Sequence, residues 1–509
     1  MKYVLAYDLG TGGTKATLYN EKGEAKASSF VSCKTYFPKE DFREQRPEDW
    51  WISIKDSTDQ LLSKVEVDPM EIVALGVSGH SLGVVPIDKD GTLLCEYVPI
   101  WSDARASEQA KEFFELIDEE QWYMTTGNGF PAPLYSIFKV MWYKKHLLDI
   151  YEKTAAFIGT KDYVNYKLTN VVGTDYSYAS GSGVYNLKEW RYEDEYIQAS
   201  GIASDKLPKI YGSEEVLGTL TEEAARELGL NQTTKVVCGG VDNACMALGA
   251  GCIQKGKAYT NLGTSAWIAV SDDQPIVEPI KRPYVFSHCI KDMYVSATAI
   301  FSAGNSYRWV RDNLCKDLIK EEDMGGINAY VAMNQLGAKV PLGSNKLIFN
   351  PSLAGGSSLD KSTNIRGAFV GLSLGNTRED MIRATLEGIC MNLSIAMNIL
   401  EDQVPLVEEM LIVGGGSNSP LWMNLFADIY NKTIITTNVG QEAGSLGAGA
   451  LALVGSGLWK DYKALENIHK VESSIKPDHE NVEKYNQLLI AFKTVADYQS
   501  KIGDLLSEL

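Results

Sequence analysis

One short pattern occurs twice in this chain, about half a chain apart, and it limits the possible folds more than any other feature. Each copy is a short strand that runs into a Leu-Gly-Thr turn, at residues 7–12 and again at residues 260–265. The residues after each turn are again typical of a strand, so each copy predicts a β-hairpin with its Gly-Thr turn at the tip. We therefore expect two related domains whose hairpin tips face one cleft.

The length also favours two domains. A chain of 509 residues exceeds the size at which a single hydrophobic core stops growing. No low-complexity linker separates the halves, and we place the domains at residues 1–248 and 249–509. Further apolar strands end in glycine clusters before predicted helices, which indicates the α/β class with ligands at strand ends. A cleft between two domains is the usual ligand site.

Two helices and one loop are readable in the second half. Apolar residues from Ile382 to Leu400 recur at spacings of four and three after a capping sequence at residues 376–380, which predicts a helix. A tail helix is expected from about His479 onward. Residues 351–367 are polar and glycine-rich, and they predict a long loop.

Charge and composition exclude several functional classes. Lys and Arg total 48 against 66 Asp and Glu, which gives a formal net charge of -18, and no long basic run is present. Nucleic acid and anionic membrane surfaces are therefore not expected as partners. The opening reaches Asp8 too soon for a signal-peptide core, and no apolar run reaches membrane-spanning length. Eight scattered cysteines indicate reduced thiols, so a cytoplasmic protein is expected.

Both Gly-Thr turns are candidate phosphate sites. Glycine has no side chain to keep an anion away, so backbone N–H groups and hydroxyls can approach phosphate oxygens. The candidates are Thr11, Gly12, Thr14 and Thr264. Either turn alone could be only a tight turn, and the pair is more specific. A Walker-type sequence at residues 251–257 is rejected because Ala258 follows where Ser or Thr is required.

Two aspartates are candidates for the chemistry. Asp242 lies where a strand turns into a helix of small residues, so its carboxylate could face a cleft and take a proton from a substrate hydroxyl. The alternative is a helix N-cap that accepts backbone amides. Asp8 either orders the first hairpin or holds magnesium through water, since magnesium keeps several waters and takes few carboxylates.

Other segments could bind substrate or nucleotide. Residues 101–105 place an aromatic, an acidic and a basic side chain close together, which suits a polyol but equally fits a surface ion pair. His80 follows a strand end and could bind substrate hydroxyls, although a lone histidine is more often structural. The glycine-rich residues 414–420 could let an adenine ring lie against bare backbone, or form only a turn before a helix.

Taken together, these segments resemble the FGGY family of carbohydrate kinases, which belongs to the actin-like ATPase superfamily. The match runs in order through nearly the whole chain. It comprises YDLGTGGTK from Tyr7, WSDAR from Trp101, TGN from Thr126, KVMW from Lys139, KDY from Lys161, GGVDNA from Gly239, NLGTSAW from Asn261, VGGGSNSP from Val413 and EAGSLGAG from Glu442. Each segment alone is weak, whereas the ordered series is specific.

The resemblance implies two actin-like, ribonuclease H-like domains on either side of a catalytic cleft, with the sugar on the first domain and ATP on the second. Asp242 matches the family's general base, and Asp8 matches its metal-associated acid, so both are expected near Mg2+. The nucleotide-binding positions are expected to be Thr11, Gly12, Thr14, Gly263, Thr264, Gly304, Gly415, Gly416 and Asn418. The substrate-binding positions are expected to be His80, Ser81, Trp101, Asp103, Asn128, Asp242 and Asn243.

The subgroup that this chain most resembles is xylulokinase-like, with two departures. A Gln-x-His-Gly motif is replaced by residues 80–83, and the common Gly-Glu-Arg-x-Pro motif is replaced within the loop at residues 353–367. The expected function is ATP-dependent phosphorylation of a small sugar or polyol, first of all a ketopentose such as xylulose. The alternatives are kinases of ribulose, erythritol, glycerol or gluconate, and a non-catalytic sensor of sugar or nucleotide. A homodimer would agree with the resemblance.

Overall fold

The computed structural model describes residues 1–509 and consists of two compact units. The first unit comprises residues 1–255, 271–296 and 442–469, and the second comprises residues 256–270, 297–441 and 470–509. Both combine helices with strands, so the predicted α/β class is confirmed. The boundary between residues 248 and 249 stays a prediction. None of the helices combines the length and apolar character that crossing a membrane requires.

A seven-stranded sheet lies at the centre of the first unit. Its strands are β1 (Tyr3–Gly10), β2 (Gly13–Asn20), β3 (Ala25–Ser32), β4 (Ile72–Gly79), β5 (Val216–Thr219), β6 (Lys235–Val237) and β7 (Gly240–Val241). The spatial order is β5-β6-β4-β1-β2-β3, and β7 also pairs with β4. β1 and β2 form the predicted hairpin, with Gly10 opposite Gly13. Because β1, β4 and β7 are parallel, their carboxyl ends meet at one edge.

A second seven-stranded sheet contains the other predicted hairpin. Its strands are β8 (Lys257–Leu262), β9 (Ala266–Asp272), β10 (Tyr284–Ser287), β11 (Tyr294–Ile300), β12 (Glu409–Val413), β13 (Thr433–Thr437) and β14 (Val471–Ile475). The spatial order is β10-β11-β9-β8-β12-β13-β14, so the consecutive strands β8 and β9 are neighbours. The hairpin prediction for the second Leu-Gly-Thr turn is therefore confirmed.

The chain contains seventeen α-helices. Those of the first unit are α1 (Pro47–Leu62), α2 (Ser107–Phe114), α3 (Glu119–Thr126), α4 (Ser136–His146), α5 (Leu148–Lys153), α6 (Thr160–Thr169), α7 (Tyr176–Ala179), α8 (Asp194–Ser200), α9 (Glu222–Leu228), α10 (Asp242–Gly249) and α16 (Ala443–Gly455). Those of the second unit are α11 (Gly304–Leu314), α12 (Lys316–Asp323), α13 (Ala329–Gly337), α14 (Arg378–Glu401), α15 (Pro420–Tyr430) and α17 (His479–Ser507).

Both helices predicted in the second half are confirmed. The first corresponds to α14, where a capping box joins Thr377 and Asp380 at the start. The tail helix corresponds to α17, whose N-cap Asp478 accepts from the amide of Glu480. Residues 351–367 contain no helix or strand, as predicted for a loop.

Five short strand pairs complete the fold. They are Glu44–Gln45 with Val98–Pro99, Val85–Ile87 with Ala156–Ile158, Thr174–Asp175 with Ile210–Tyr211, Tyr185–Asn186 with Arg191–Tyr192, and Ile348–Asn350 with Ala368–Val370.

Glycines bring α10, α16 and β4 into direct backbone contact. A Cβ atom at Gly447 in α16 would lie 1.9 Å from the Cys245 carbonyl oxygen in α10. A Cβ atom at Gly76 in β4 would lie 2.3 Å from the Ala448 carbonyl oxygen in α16. Neither position can hold a larger residue without backbone movement, because each neighbour is itself main chain. This contact fixes α10 on the sheet, and with it Asp242 at the first position of α10.

We predict that Gly447→Ala destabilises the protein by about 1–3 kcal/mol, the usual effect of overpacking. The added methyl group would overlap the Cys245 carbonyl oxygen in α10. Urea unfolding followed by circular dichroism measures the change. Gly218→Ala in β5 is the matched control, because its Cβ atom would lie 3.8 Å from the nearest atom. Equal unfolding midpoints for the two variants would contradict the close contact.

Candidate active site

Asp8 lies near the carboxyl end of β1, beside the start of α16. It pairs in register with Lys15 of β2 and with Ser78 of β4, so the three side chains share one face of the sheet. A Cβ atom at Gly444 would lie 2.6 Å from Asp8 Oδ2. Only glycine therefore admits the carboxylate to the first turn of α16, where the helix dipole favours an anion.

The charged groups around Asp8 shift its pKa in opposite directions. Lys15 and Glu442 form an ion pair, and both side chains are partly exposed. Burial raises the pKa of the Asp8 carboxyl above its usual range, Glu442 raises it further, and Lys15 lowers it. The site thus places an anionic group where burial and a second carboxylate disfavour its charge, which is an environment that a cation would stabilise.

Asp242 is the first residue of α10, one residue beyond the end of β7. The N-cap position belongs to Val241, whose side chain offers no acceptor, so Asp242 is not the N-cap. Its Oδ1 accepts from the Asn243 backbone amide at 2.8 Å and from Asn243 Nδ2 at 3.2 Å. The substrate candidate Asn243 thus has its side-chain amide directed at Asp242.

The pKa of Asp242 is matched to proton transfer near neutral pH. Burial raises this pKa to about 7, the Asp8 carboxylate acts in the same direction, and the Asn243 amide opposes them. A general base is most effective when its pKa lies near the working pH. Asp242 can therefore accept a hydroxyl proton, and its interaction with Asp8 links the two aspartates that sequence reasoning singled out.

At the tip of the first hairpin, the backbone is accessible, whereas the threonine hydroxyls are hydrogen-bonded within the chain. Thr14 is buried, and its hydroxyl lies 2.5 Å from the Ser53 hydroxyl of α1. Trp101 Nε1 donates to the Thr11 hydroxyl at 2.9 Å, which connects two of the predicted site segments. No other atom lies within 4 Å of the Cβ position of Gly12, so the turn is open there. An anion has access to the Gly12 backbone.

His80 is a buried histidine whose ring packs edge to face against Trp50 but forms no hydrogen bond. Only 1% of its surface is exposed, and neither ring nitrogen has a hydrogen-bond partner in the chain. Burial lowers the pKa of His80 to about 4, and Lys139 acts in the same direction, so the ring is neutral at neutral pH. A neutral imidazole offers one donor and one acceptor. Because buried polar groups are normally paired, this ring is suited to bind ligand hydroxyls.

Lys139 joins two loops on the substrate side, and sequence reasoning missed this role. Its ammonium donates to the carbonyl oxygens of Leu82 at 3.0 Å and Ile100 at 2.7 Å. These residues lie next to the candidates Ser81 and Trp101. Burial lowers the pKa of Lys139 to about 7. One lysine in a predicted helix carries no sign of such burial, and only its membership of a family segment could have drawn attention to it.

The Asp103 carboxylate forms a buried ion pair with Arg105. The carboxylate accepts from Arg105 Nε at 2.8 Å, from Arg105 Nη2 at 2.7 Å and from the Arg43 amide at 2.6 Å. Arg105 also bonds Glu44 at 2.6 Å. Of the two interpretations of this segment, the geometry favours the ion pair, although the pair is buried rather than on the surface.

Asn128 has one free side-chain atom. Its Nδ2 donates to the carbonyl oxygens of Thr126 at 3.2 Å and Ser180 at 2.9 Å. Its Oδ1 is buried and has no partner in the chain. Asn128 is thus held in place by one end of its amide, and the other end can accept a hydrogen bond from a ligand.

In the second unit, three predicted nucleotide loops meet at the end of β8. The Gly304 amide donates to the Gly263 carbonyl at 3.0 Å, and the Asn305 amide donates to the Thr264 carbonyl at 3.0 Å. A Cβ atom at Gly416 would lie 2.4 Å from a Leu262 methyl carbon.

Gly415 and Asn418 belong to the third of these loops. Asn418 Nδ2 donates to the Gly415 carbonyl at 3.3 Å. The nearest atom to the Cβ position of Gly415 is Gln441 Nε2, at 3.4 Å. The structure therefore brings together all the second-unit residues proposed for nucleotide binding.

Comparison with known proteins assigns the chain to a family. The family model described as the FGGY family of carbohydrate kinases, N-terminal domain, matches residues 3–249, and that of the C-terminal domain matches residues 258–456. The chain belongs to the FGGY family of carbohydrate kinases. The resemblance stated from the sequence is thereby confirmed, and the protein is a phosphotransferase.

Individual FGGY relatives match over nearly their whole length. The chain is 28% identical to a xylulose kinase of Bacillus subtilis (strain 168), over 99% of each chain. A crystal structure of a ligand-bound xylulose kinase from Lactobacillus acidophilus has a TM-score of 0.89 and 26% identity, covering 97% of this chain and 98% of that one. A gluconate kinase structure from Lactobacillus acidophilus has a TM-score of 0.88 and 26% identity, covering 98% of both. The predicted actin-like fold is confirmed.

The pKa of Asp242 predicts the pH dependence of catalysis. A base must be deprotonated to act, and burial raises the pKa of Asp242 to about 7. The value of kcat/KM for Mg-ATP, which reports the enzyme before Mg-ATP binds, should therefore rise about tenfold per pH unit below about pH 7 and level off above it. Initial rates between about pH 5.5 and 8.5 measure this profile. A flat profile across that range would contradict the assignment of Asp242 as base.

Proposed function

We propose that this carbohydrate kinase transfers the γ-phosphate of ATP to a hydroxyl of a ketopentose such as xylulose, with Asp242 as the general base. The observation that carries the proposal is the Asp242 carboxyl, whose pKa is raised to about 7 by burial and by Asp8. The named xylulose kinase relatives support the ketopentose as acceptor.

The charges on the substrate side favour an uncharged acceptor. A sugar acid carries a carboxylate, which enzymes usually bind with an arginine or lysine. Here the Lys139 ammonium donates to two backbone carbonyls, and the Arg105 guanidinium bonds to Asp103 and Glu44. His80 is neutral and can exchange hydrogen bonds with sugar hydroxyls. These groups suit a neutral polyol better than gluconate.

Asp242 would receive the proton of the attacking hydroxyl at its carboxylate. The hydrogen bonds from Asn243 hold Oδ1. Positioning of the hydroxyl and stabilisation of phosphate charge provide most of the catalysis in phosphoryl transfer. We assign the positioning of the sugar to His80 and Asn128. The ring nitrogens of His80 and the Oδ1 of Asn128 are buried and have no hydrogen-bond partner in the chain.

Asp8 and Asp242 would hold Mg2+ as part of the nucleotide complex. The two residues fit this ion because the Asp8 charge raises the pKa of Asp242, so a cation would relieve their repulsion. No group of three or more His, Cys, Asp or Glu side chains forms a cage for a resident metal. Magnesium commonly takes one or two carboxylates and keeps its waters. When bound, the ion neutralises charge on the phosphates.

Nucleotide binding is assigned to backbone groups. In the second unit, Gly263, Thr264, Gly304 and Gly415 surround the end of β8, where small residues allow a phosphate or an adenine ring to approach the main chain. In the first unit, the open turn at Gly12 offers its N–H group to a phosphate.

We predict that purified protein releases ADP when Mg-ATP is supplied with a ketopentose, and that Asp242→Asn lowers kcat at least ~100-fold, the usual size of general-base catalysis. A coupled ADP assay with xylulose, ribulose, erythritol, glycerol and gluconate measures both. The exposed Asp323 provides the control variant Asp323→Asn, which also removes one negative charge. Turnover with gluconate alone would contradict the neutral acceptor. Saturable ATP binding without turnover on any sugar would favour a sensor.

The variant His80→Leu tests whether His80 binds the sugar or only stabilises the fold. We expect the KM for the sugar to rise about tenfold or more, because a hydrogen-bonding site is lost, while the KM for ATP stays unchanged. Thermal stability should be unchanged or higher, since the buried ring nitrogens have no partners to lose. Steady-state kinetics and thermal unfolding measure these effects. A lower melting temperature with an unchanged sugar KM would instead indicate a structural histidine.

A further inference from the structure

The residue before Asp242 donates a buried hydrogen bond to another part of the first unit. The Val241 amide donates to the Ser177 hydroxyl oxygen at 2.9 Å. Ser177 lies in α7 and is fully buried. Val241 is the N-cap of α10 and has no side-chain acceptor. Ser177 therefore supplies the polar contact that holds the chain at the point where β7 becomes α10.

Asp175 orients the Ser177 hydroxyl. The hydroxyl donates its hydrogen to Asp175 Oδ2 at 2.5 Å. A serine has a single hydroxyl hydrogen, so only its lone pairs remain to face Val241. Asp175 Oδ2 also accepts from the Ser177 amide at 2.9 Å and from the Ser213 hydroxyl at 2.7 Å.

Lys161 anchors the same network with a buried charge. Its ammonium lies 2.6 Å from Asp162 and 3.1 Å from Asp175, and it donates to the Cys238 carbonyl oxygen at 3.1 Å. Burial alone would lower the pKa of Lys161, but the carboxylates raise it well above its usual range. The ammonium therefore stays charged at neutral pH. Lys161 and Ser177 together hold both ends of the segment at residues 238–241.

We propose that Ser177 is a positioning residue for catalysis, which acts through Val241 to direct the Asp242 carboxylate. Asp175 and Lys161 fix Ser177 in turn. This inference rests on the proposed function, because it takes Asp242 to be the base. The role differs from general support of the fold, since the hydrogen bond acts one residue before the reacting carboxylate.

The chain offers a matched pair of serines for the test. Ser177 and Ser213 are both fully buried, and both donate to Asp175 Oδ2. Only Ser177 accepts the Val241 amide. Ser213→Ala therefore removes the same kind of donor from Asp175 and leaves the contact with Val241 in place.

We expect Ser177→Ala to lower kcat about 10- to 100-fold, the range produced by a small misplacement of a catalytic group. The KM for ATP should stay close to that of the unaltered protein. Ser213→Ala should keep kcat close to that of the unaltered protein.

Several outcomes separate positioning from a loss of folded protein. Partial unfolding lowers kcat in proportion to the folded fraction measured by circular dichroism, whereas misplacement of Asp242 lowers kcat in a fully folded protein. Ser177→Cys fills the same space with a weak acceptor, so it should show the same lowering of kcat even if Ser177→Ala does not fold. Equal kcat for the Ser177 and Ser213 variants would overturn the inference alone. Absence of sugar-dependent turnover in the unaltered protein would overturn the proposed function with it.

Discussion

The backbone contact between α10, α16 and β4 is the constraint on which the rest of the first unit depends. Gly447 and Gly76 let main-chain atoms approach where any side chain would overlap a carbonyl oxygen. A contact of this kind has no adjustable rotamers, so it sets the position of α10 with little tolerance. Asp242 begins α10, and Asp8 lies against the start of α16 at Gly444. The distance between the Asp8 and Asp242 carboxylates therefore depends on glycines that take no part in the proposed reaction.

Some buried polar groups of the first unit are hydrogen-bonded within the chain, and others are not. In the interior, Lys161, Asp162, Asp175 and Ser177 satisfy one another through short hydrogen bonds. At the candidate site, the ring nitrogens of His80 and the Oδ1 of Asn128 are equally buried but have no hydrogen-bond partner. An unpaired buried polar group lowers stability, and under the proposed function these atoms bind the hydroxyls of the sugar.

Local patterns predicted the local structure well. The two hairpins, α14 and α17 follow from turn residues, capping residues and helical spacing, which act over a few residues. Asp242, Asp8 and the glycine loops are candidates because strand ends followed by glycine are typical of ligand sites. What was missed depends on distant contacts. No pattern around Thr14 shows that its hydroxyl faces Ser53, and none around Lys139 or Ser177 shows which backbone groups they bind.

The composition of α16 has a consequence for how the protein is made. Its sequence contains four glycines, each less favourable than alanine in a helix by about 1 kcal/mol. The helix therefore gains its stability from docking against β4 and α10 rather than from its own residues. Because residues 442–469 complete a unit that begins at Met1, the ribosome must synthesise most of the chain before that unit can close. Until then, the first sheet lacks one of its covering helices, and the apolar face beneath that helix is exposed to aggregation.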